Sequence, residues 1–122
     1  MLVLAAASGA AHARVLQVSG STGYLSEWEL SGVVTQTPTS GGNEFFGPLI
    51  IKHVGLCSVN GPLEKHGEIR LRLSTSGALS RINATISLDG GQCRFSGEFS
   101  GLASGHMDCP DAKGVPISLS LR

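Results

Sequence analysis

The chain has 122 residues, enough for one domain with a modest core. Nine basic and nine acidic side chains cancel, so no basic stripe exists to neutralise phosphates and nucleic acid is not an expected partner. Charged residues are sparse at 15%, there are 17 glycines, and no ten-residue window has helical periodicity; the chain therefore reads as many short strands and tight turns rather than a helical or α/β fold.

The first thirteen residues read as a leader. Leu2-Val3-Leu4-Ala5-Ala6-Ala7 is a short apolar core and Ala11-His12-Ala13 is an A-x-A cleavage signature, although the usual basic residues ahead of the core are missing. The run is too short to cross a bilayer, and no other stretch is a candidate span. The expectation is a signal peptide remnant over residues 1–13, a single β domain over 14–122, and a periplasmic or secreted protein.

Residues 14–19 then make a short strand with Leu16 and Val18 inward, followed by a loop over 20–23. Residues 24–35 alternate, with Trp28, Leu30, Gly32 and Val34 on one face and Glu27, Glu29 and Ser31 on the other. Pro38, Gly41 and Gly42 mark a loop over 37–43. Residues 45–59 predict a long strand that is apolar on both faces. One parity carries Leu49, Ile51, His53, Gly55 and Cys57, the other Phe46, Ile50, Lys52, Val54 and Leu56. Alternation does not choose between them, and a bulge near Lys52 would exchange the faces. If the first set points inward, Phe46, Ile50, Val54 and Leu56 form an outward apolar patch suited to a subunit or partner interface, unless a loop covers it.

A loop over 60–66 leads into a run of hairpins from Glu68 to Arg122 that share one apolar face. Ser76-Gly77 turns Leu73, Leu71 and Ile69 onto Ser80, Ile82 and Ala84. Gly90-Gly91 turns Leu88, Ile86, Ala84 and Ile82 onto Cys93, Phe95, Gly97 and Phe99, since a Gly-Gly pair supplies the positive φ that a two-residue turn demands. Ser100-Gly101-Leu102 sets Phe99, Gly97, Phe95 and Cys93 against Ala103, Gly105, Met107 and Cys109. A turn from Pro110 to Gly114 sets Met107, Gly105 and Ala103 against Ile117, Leu119 and Leu121. A slip of one residue would expose the entire apolar set. Eight strands wired by consecutive hairpins predict an all-β, antiparallel up-and-down meander forming a small closed or partly open barrel; a β-sandwich is the alternative.

The barrel would gather Cys57, Cys93 and Cys109 at one end. In an oxidising compartment two of them pair. Loop closure is worth about 3 kcal/mol for a Cys93–Cys109 link and about 4 for either link to Cys57, a gap too small to select a pair. With His66 the same thiols make a weak zinc set that lacks a C-x-x-C knuckle, and a thiol enzyme using His66 or His106 as base is a remoter alternative. No H-E-x-x-H, D-x-D-x-D-G or G-x-S-x-G motif occurs, so neither an enzyme nor a metal or other cofactor is expected. Ala84, Gly97 and Gly105 fall level on three adjacent strands and leave room in the wall. Either Trp28 fills that room from the opposite side, or an apolar ligand does, with Trp28, Phe95 and Phe99 around it. The expected function is an exported, non-enzymatic binding protein that meets a protein partner, as a hydrolase inhibitor would, through its loops or outer apolar strand. Homo-oligomers are compatible with that reading, and a carrier of a small apolar ligand in the barrel is the alternative.

Overall fold

The computed structural model describes residues 14–25, 27–37, 43–54, 64–76, 79–88 and 90–122. Eight antiparallel strands follow one another around a closed barrel: β1 (Val15–Thr22), β2 (Trp28–Gln36), β3 (Glu44–His53), β4 (Glu64–Ser76), β5 (Leu79–Leu88), β6 (Gly91–Glu98), β7 (Leu102–Cys109) and β8 (Ala112–Leu121). Each strand pairs with the next, and β8 returns to β1 with Val18 opposite Leu121 and Thr22 opposite Ile117. The barrel is thus the fold, and the sandwich is not. The leader over residues 1–13, Leu56 and Cys57 lie outside the described residues.

Alternation carries each strand. Leu30 and Val34 of β2, Ile69 and Leu71 of β4, Ile82, Ala84 and Ile86 of β5, and Ile117 and Leu119 of β8 are all buried, with exposed or half-buried neighbours between them. On β3 a single parity holds: Phe45, Gly47, Leu49 and Ile51 are buried while Phe46 and Pro48 are exposed. The two-faced strand therefore turns its odd-numbered residues inward, and no bulge near Lys52 exchanges the faces up to His53.

Three expected hairpin registers are displaced by two residues. Leu88 pairs with Gly91 and Ile86 with Cys93, so the two-residue loop is 89–90, with Gly90 at φ +81°, rather than Gly90-Gly91. The sequence there is Asp-Gly, a stronger signal for this turn than Gly-Gly. Leu73 pairs with Ile82, and Met107 with Val115. The β7–β8 loop shrinks to Pro110 and Asp111, while Gly114 at φ +66° lies beyond it, close to the irregularity between Met107 and Cys109. The β6–β7 register is as expected, with Phe95 opposite Met107. A displacement of two preserves parity, which is why the inward set survives all three corrections. β1 also runs to Thr22 instead of stopping at 19, β2 begins at Trp28 instead of 24, and β4 begins at Glu64, so residues 64–66 are strand rather than loop.

Closing eight strands into a ring demands strong coiling, and inward glycines permit it. A Cβ built on Gly20 would strike the carbonyl of Ser118, one on Gly32 that of Pro48, one on Gly47 that of Val33, and one on Gly67 that of Ser87. At these four positions, on β1 to β4, the neighbouring backbone occupies the place of a side chain.

The end reached by β1 at Thr22 carries the loops after β1, β3, β5 and β7 and is here called the mouth. At the opposite end Phe45 is buried beneath the Arg14 guanidinium, 5.8 Å from the ring centre. Between them Val34, Leu49, Ile69, Leu71, Ile82 and Leu119 fill the interior. Gly47→Ala is expected to lower stability by about 1–3 kcal/mol, the usual cost of overfilling, because the obstacle is backbone that cannot swing away. Urea unfolding measures it; an unchanged midpoint would contradict the close approach of β2 and β3.

Candidate functional site

The mouth holds an open cavity of about 640 Å³. Its walls are largely apolar, from Leu30, Ile51, Ile86, Leu88, Met107 and Val115. Polar groups also line it: Thr22, Glu27, Lys65 and Asp111. The pattern follows from strand parity. The inward residues near the middle of the strands are mostly aliphatic; at the mouth the inward residues of β1 to β4 are Thr22, Trp28, His53 and Lys65, whereas β5 to β8 keep Leu88, Cys93, Cys109 and Val115 there.

Trp28 is the centre of the rim. It is half buried, packs against the core, and meets His53 edge-on at 4.6 Å between ring centres. The two residues are cross-strand partners on β2 and β3, close enough for aromatic contact. The Lys65 ammonium lies 5.3 Å from the indole centre, a cation–π distance. One indole thus carries an imidazole edge and an ammonium, which restrain its orientation at the entrance.

The β1–β2 connection forms another part of the rim. Glu27 Oε1 accepts the Leu25 amide at 2.9 Å. The backbone N–H groups of Glu27 itself and of Leu25 hold this carboxyl below the ordinary carboxylate range, with a smaller contribution from His53. Thr22 Oγ1 donates to the Pro116 carbonyl at 2.8 Å, and the Gly23 amide reaches the same oxygen at 3.0 Å. The Tyr24 hydroxyl donates to the Lys113 carbonyl at 3.0 Å. These bonds tie the connection to the β7–β8 hairpin. They leave two apolar side chains outside, Tyr24 at 64% and Leu25 at 85% exposure.

A disulfide joins Cys93 to Cys109 beside the cavity, with Cα atoms 4.1 Å apart. It settles the pairing that spacing left open, and it takes two of the three thiols on which a zinc set would draw. His66 lies on β4, not in a loop, with Nε2 2.8 Å from Glu64 Oε2 on the outer surface. Among the described residues no group of three His, Cys, Asp or Glu side chains is placed to hold a metal ion.

The candidate ligand residues do not form one site. Trp28 lines the cavity; Ala84, Phe95, Gly97, Phe99 and Gly105 do not. Phe99 follows β6 at the far end, where its amide donates to the Ser80 carbonyl. The expected row does not form, because Ala84 stands opposite Phe95 and Ile82 opposite Gly97, and the room at Gly97 and Gly105 is filled, though not by Trp28. The Phe95 ring lies against both glycines, with Cε1 2.7 Å from where a Gly105 Cβ would stand and Cζ 3.3 Å from that of Gly97. Inward-facing Phe95 needs no help from the opposite wall, because its own strand and the next offer glycines to lie over. Sequence reasoning missed Ile86, Leu88, Met107 and Val115 as cavity walls. The available signal was that each is an inward apolar residue within reach of a mouth loop.

Of the interface candidates, Phe46 and Val54 are exposed at 36% and 52% and Ile50 is half buried, all on the outer face of the barrel. Val33 joins them at 45% exposure. The Arg70 guanidinium covers part of Phe46, 5.2 Å from the ring centre.

The contact between Phe95 and Gly105 sets up a double-mutant cycle. Gly105→Ala should cost about 1–3 kcal/mol in the wild-type background and at least about 1 kcal/mol less in a Phe95→Leu background, where the ring is gone. Additive urea-unfolding energies would contradict the filling of the wall by Phe95. No protein-family model, curated protein or solved structure matches the chain.

Proposed function

We propose that this protein is an exported, non-enzymatic binding barrel that takes a small apolar ligand into its mouth. The observation that carries the reading is the cavity of about 640 Å³ above a filled interior. Ligand pockets typically span about 300–1,000 Å³, are mostly apolar with a few placed polar groups, and favour the mouths of β-barrels. Leu30, Ile51, Ile86 and Val115 supply the apolar surface, and Glu27, Lys65 and Asp111 supply polar groups. The Trp28 indole offers a flat face to a planar ring. The leader-like segment over residues 1–13 and the Cys93–Cys109 disulfide support export to an oxidising compartment.

The neutral dye N-phenyl-1-naphthylamine tests the site. Trp28 is the single tryptophan, so its emission reports the mouth alone. Saturable quenching of that emission is expected, with affinity reduced at least about tenfold in Val115→Phe, which fills the wall and shifts binding by about 1.4 kcal/mol. Quenching that never saturates, or that Val115→Phe leaves intact, rejects the site.

Phe46 and Ile50 of β3, Val54 just past it and Val33 of β2 favour a second reading, in which that outer face docks a protein partner or another copy of the chain. Exposed large apolar side chains grouped on one face are the kind of patch that marks such contacts. Val54→Glu should then reduce the particle size measured by light scattering, alone or with a partner. An unchanged size removes this reading.

A further inference from the structure

We propose that the seam between β6 and β7 is the opening edge of the barrel, that the Cys93–Cys109 disulfide is its latch, and that reducing the latch releases what the mouth holds. The part concerning release rests on the mouth reading above; the part concerning the seam stands without it.

The seam is weak in a specific way. The β6–β7 ladder has only two pairs, Arg94 with Asp108 and Phe95 with Met107, and the disulfide-bonded Cys93 and Cys109 continue their register. The ladder from β5 to β6 has eight pairs and that from β4 to β5 has nine. Both pairs follow directly below the disulfide, which lies between them and the mouth. Farther down, the strands run alongside each other through Gly97 and Gly105, which bring no side chains to hold them together. There the two backbones lie close and the Phe95 ring covers both glycines from inside.

At the far end the β6–β7 turn closes on itself, Ser100 donating to the Leu102 carbonyl at 3.2 Å, and two further backbone bonds run to the outer neighbours. Phe99, which follows β6, donates to Ser80 of β5 at 2.9 Å. Gly101, which precedes β7, accepts from Leu121 of β8 at 3.2 Å. Each strand of the seam is therefore anchored to its outer neighbour. The two are held to one another by their hairpin turn at the far end, a two-pair ladder, an aromatic ring and the disulfide. If the bond breaks, the neighbouring ladders can stay intact while this one opens.

The latch is also part of the mouth. Cys93, Cys109 and Met107 all line the cavity, so movement of β7 from β6 opens its wall. Cys93 is buried and Cys109 half buried, which makes the Cys109 sulfur the more accessible to an attacking thiolate. A dithiol reductant balances the reaction. Its first thiolate attacks one sulfur, forming a mixed disulfide and expelling the other cysteine as thiolate. Its second thiol then displaces the first cysteine. The protein gains two electrons and two protons, and the reductant leaves as its own disulfide.

Hydrogen exchange with peptide-level mass spectrometry tests the seam, and N-phenyl-1-naphthylamine tests release. Three samples are compared in a Cys57→Ser background: oxidised, reduced with dithiothreitol, and Cys93→Ser/Cys109→Ser. The expected result is exchange at least about tenfold faster in β6 and β7 of the second and third samples, with β2 to β5 unchanged, as befits a local opening. Dye affinity should fall in parallel. Unchanged exchange in β6 and β7 overturns the latch, as does acceleration spread evenly over all strands, which would make the disulfide a staple of the whole fold. Faster seam exchange with undiminished dye binding overturns release. If the oxidised protein binds no dye, the mouth reading fails, and the exchange pattern still decides whether the seam opens.

Discussion

Closure of a short ring of strands forces the backbones together wherever the sheet coils most, and much of this molecule follows from how that crowding is relieved. At Gly20, Gly32, Gly47 and Gly67 a neighbouring carbonyl sits where a Cβ would be. At Gly97 and Gly105 the room left by the missing side chains goes to the Phe95 ring instead. The two uses of glycine have opposite effects on the sheet. The first draws strands together; the second fills space from within and adds nothing to the ladder. The barrel is accordingly uneven, with long ladders through β3, β4 and β5 and a short one between β6 and β7.

That unevenness bears on where a ligand can sit. From Phe45 upward the interior is packed with aliphatic side chains, and a ligand there would have to displace them. Only towards the mouth does the filling stop, where the inward positions of β1 to β4 change from Leu, Ile and Val to Thr22, Trp28, His53 and Lys65. Large polar-tipped side chains at a strand end can lean out to water and leave the space behind them empty. The cavity opens where this change occurs on one half of the ring, and the contact of His53 and Lys65 with Trp28 gives its entrance a defined edge.

Most of the fold was legible from the sequence because parity is robust. Pairing errors of two residues at three hairpins left Leu71, Ile82, Phe95, Met107 and Leu119 on the correct face, since side chains repeat with period two along a strand. Turn position was less legible. Asp89, Gly90 and Gly91 offer two adjacent turn dipeptides, and the choice moves every partner without exposing any apolar residue. The face of β3 was illegible for a different reason, both parities being apolar; only the burial of Phe45, Leu49 and Ile51 separates them. The site was legible in part. Trp28 stood out by chemistry, but a cavity depends on which volumes remain unfilled. The fold of the Phe95 ring over glycines on its own strand and the next is a matter of rotamer and twist that no linear pattern records.

The meander also has a kinetic side. Seven of the eight ladders join strands adjacent in sequence, so hairpins along the chain can form with short loops to close. The remaining ladder, with Val18 opposite Leu121, brings together segments about a hundred residues apart. The entropy lost in closing a loop of that length grows only logarithmically, yet it has to be met before the five β1–β8 pairs can return anything. The ring should therefore assemble as an open, curling sheet and shut late, exposing β1 and β8 as bare edges for as long as that final search lasts.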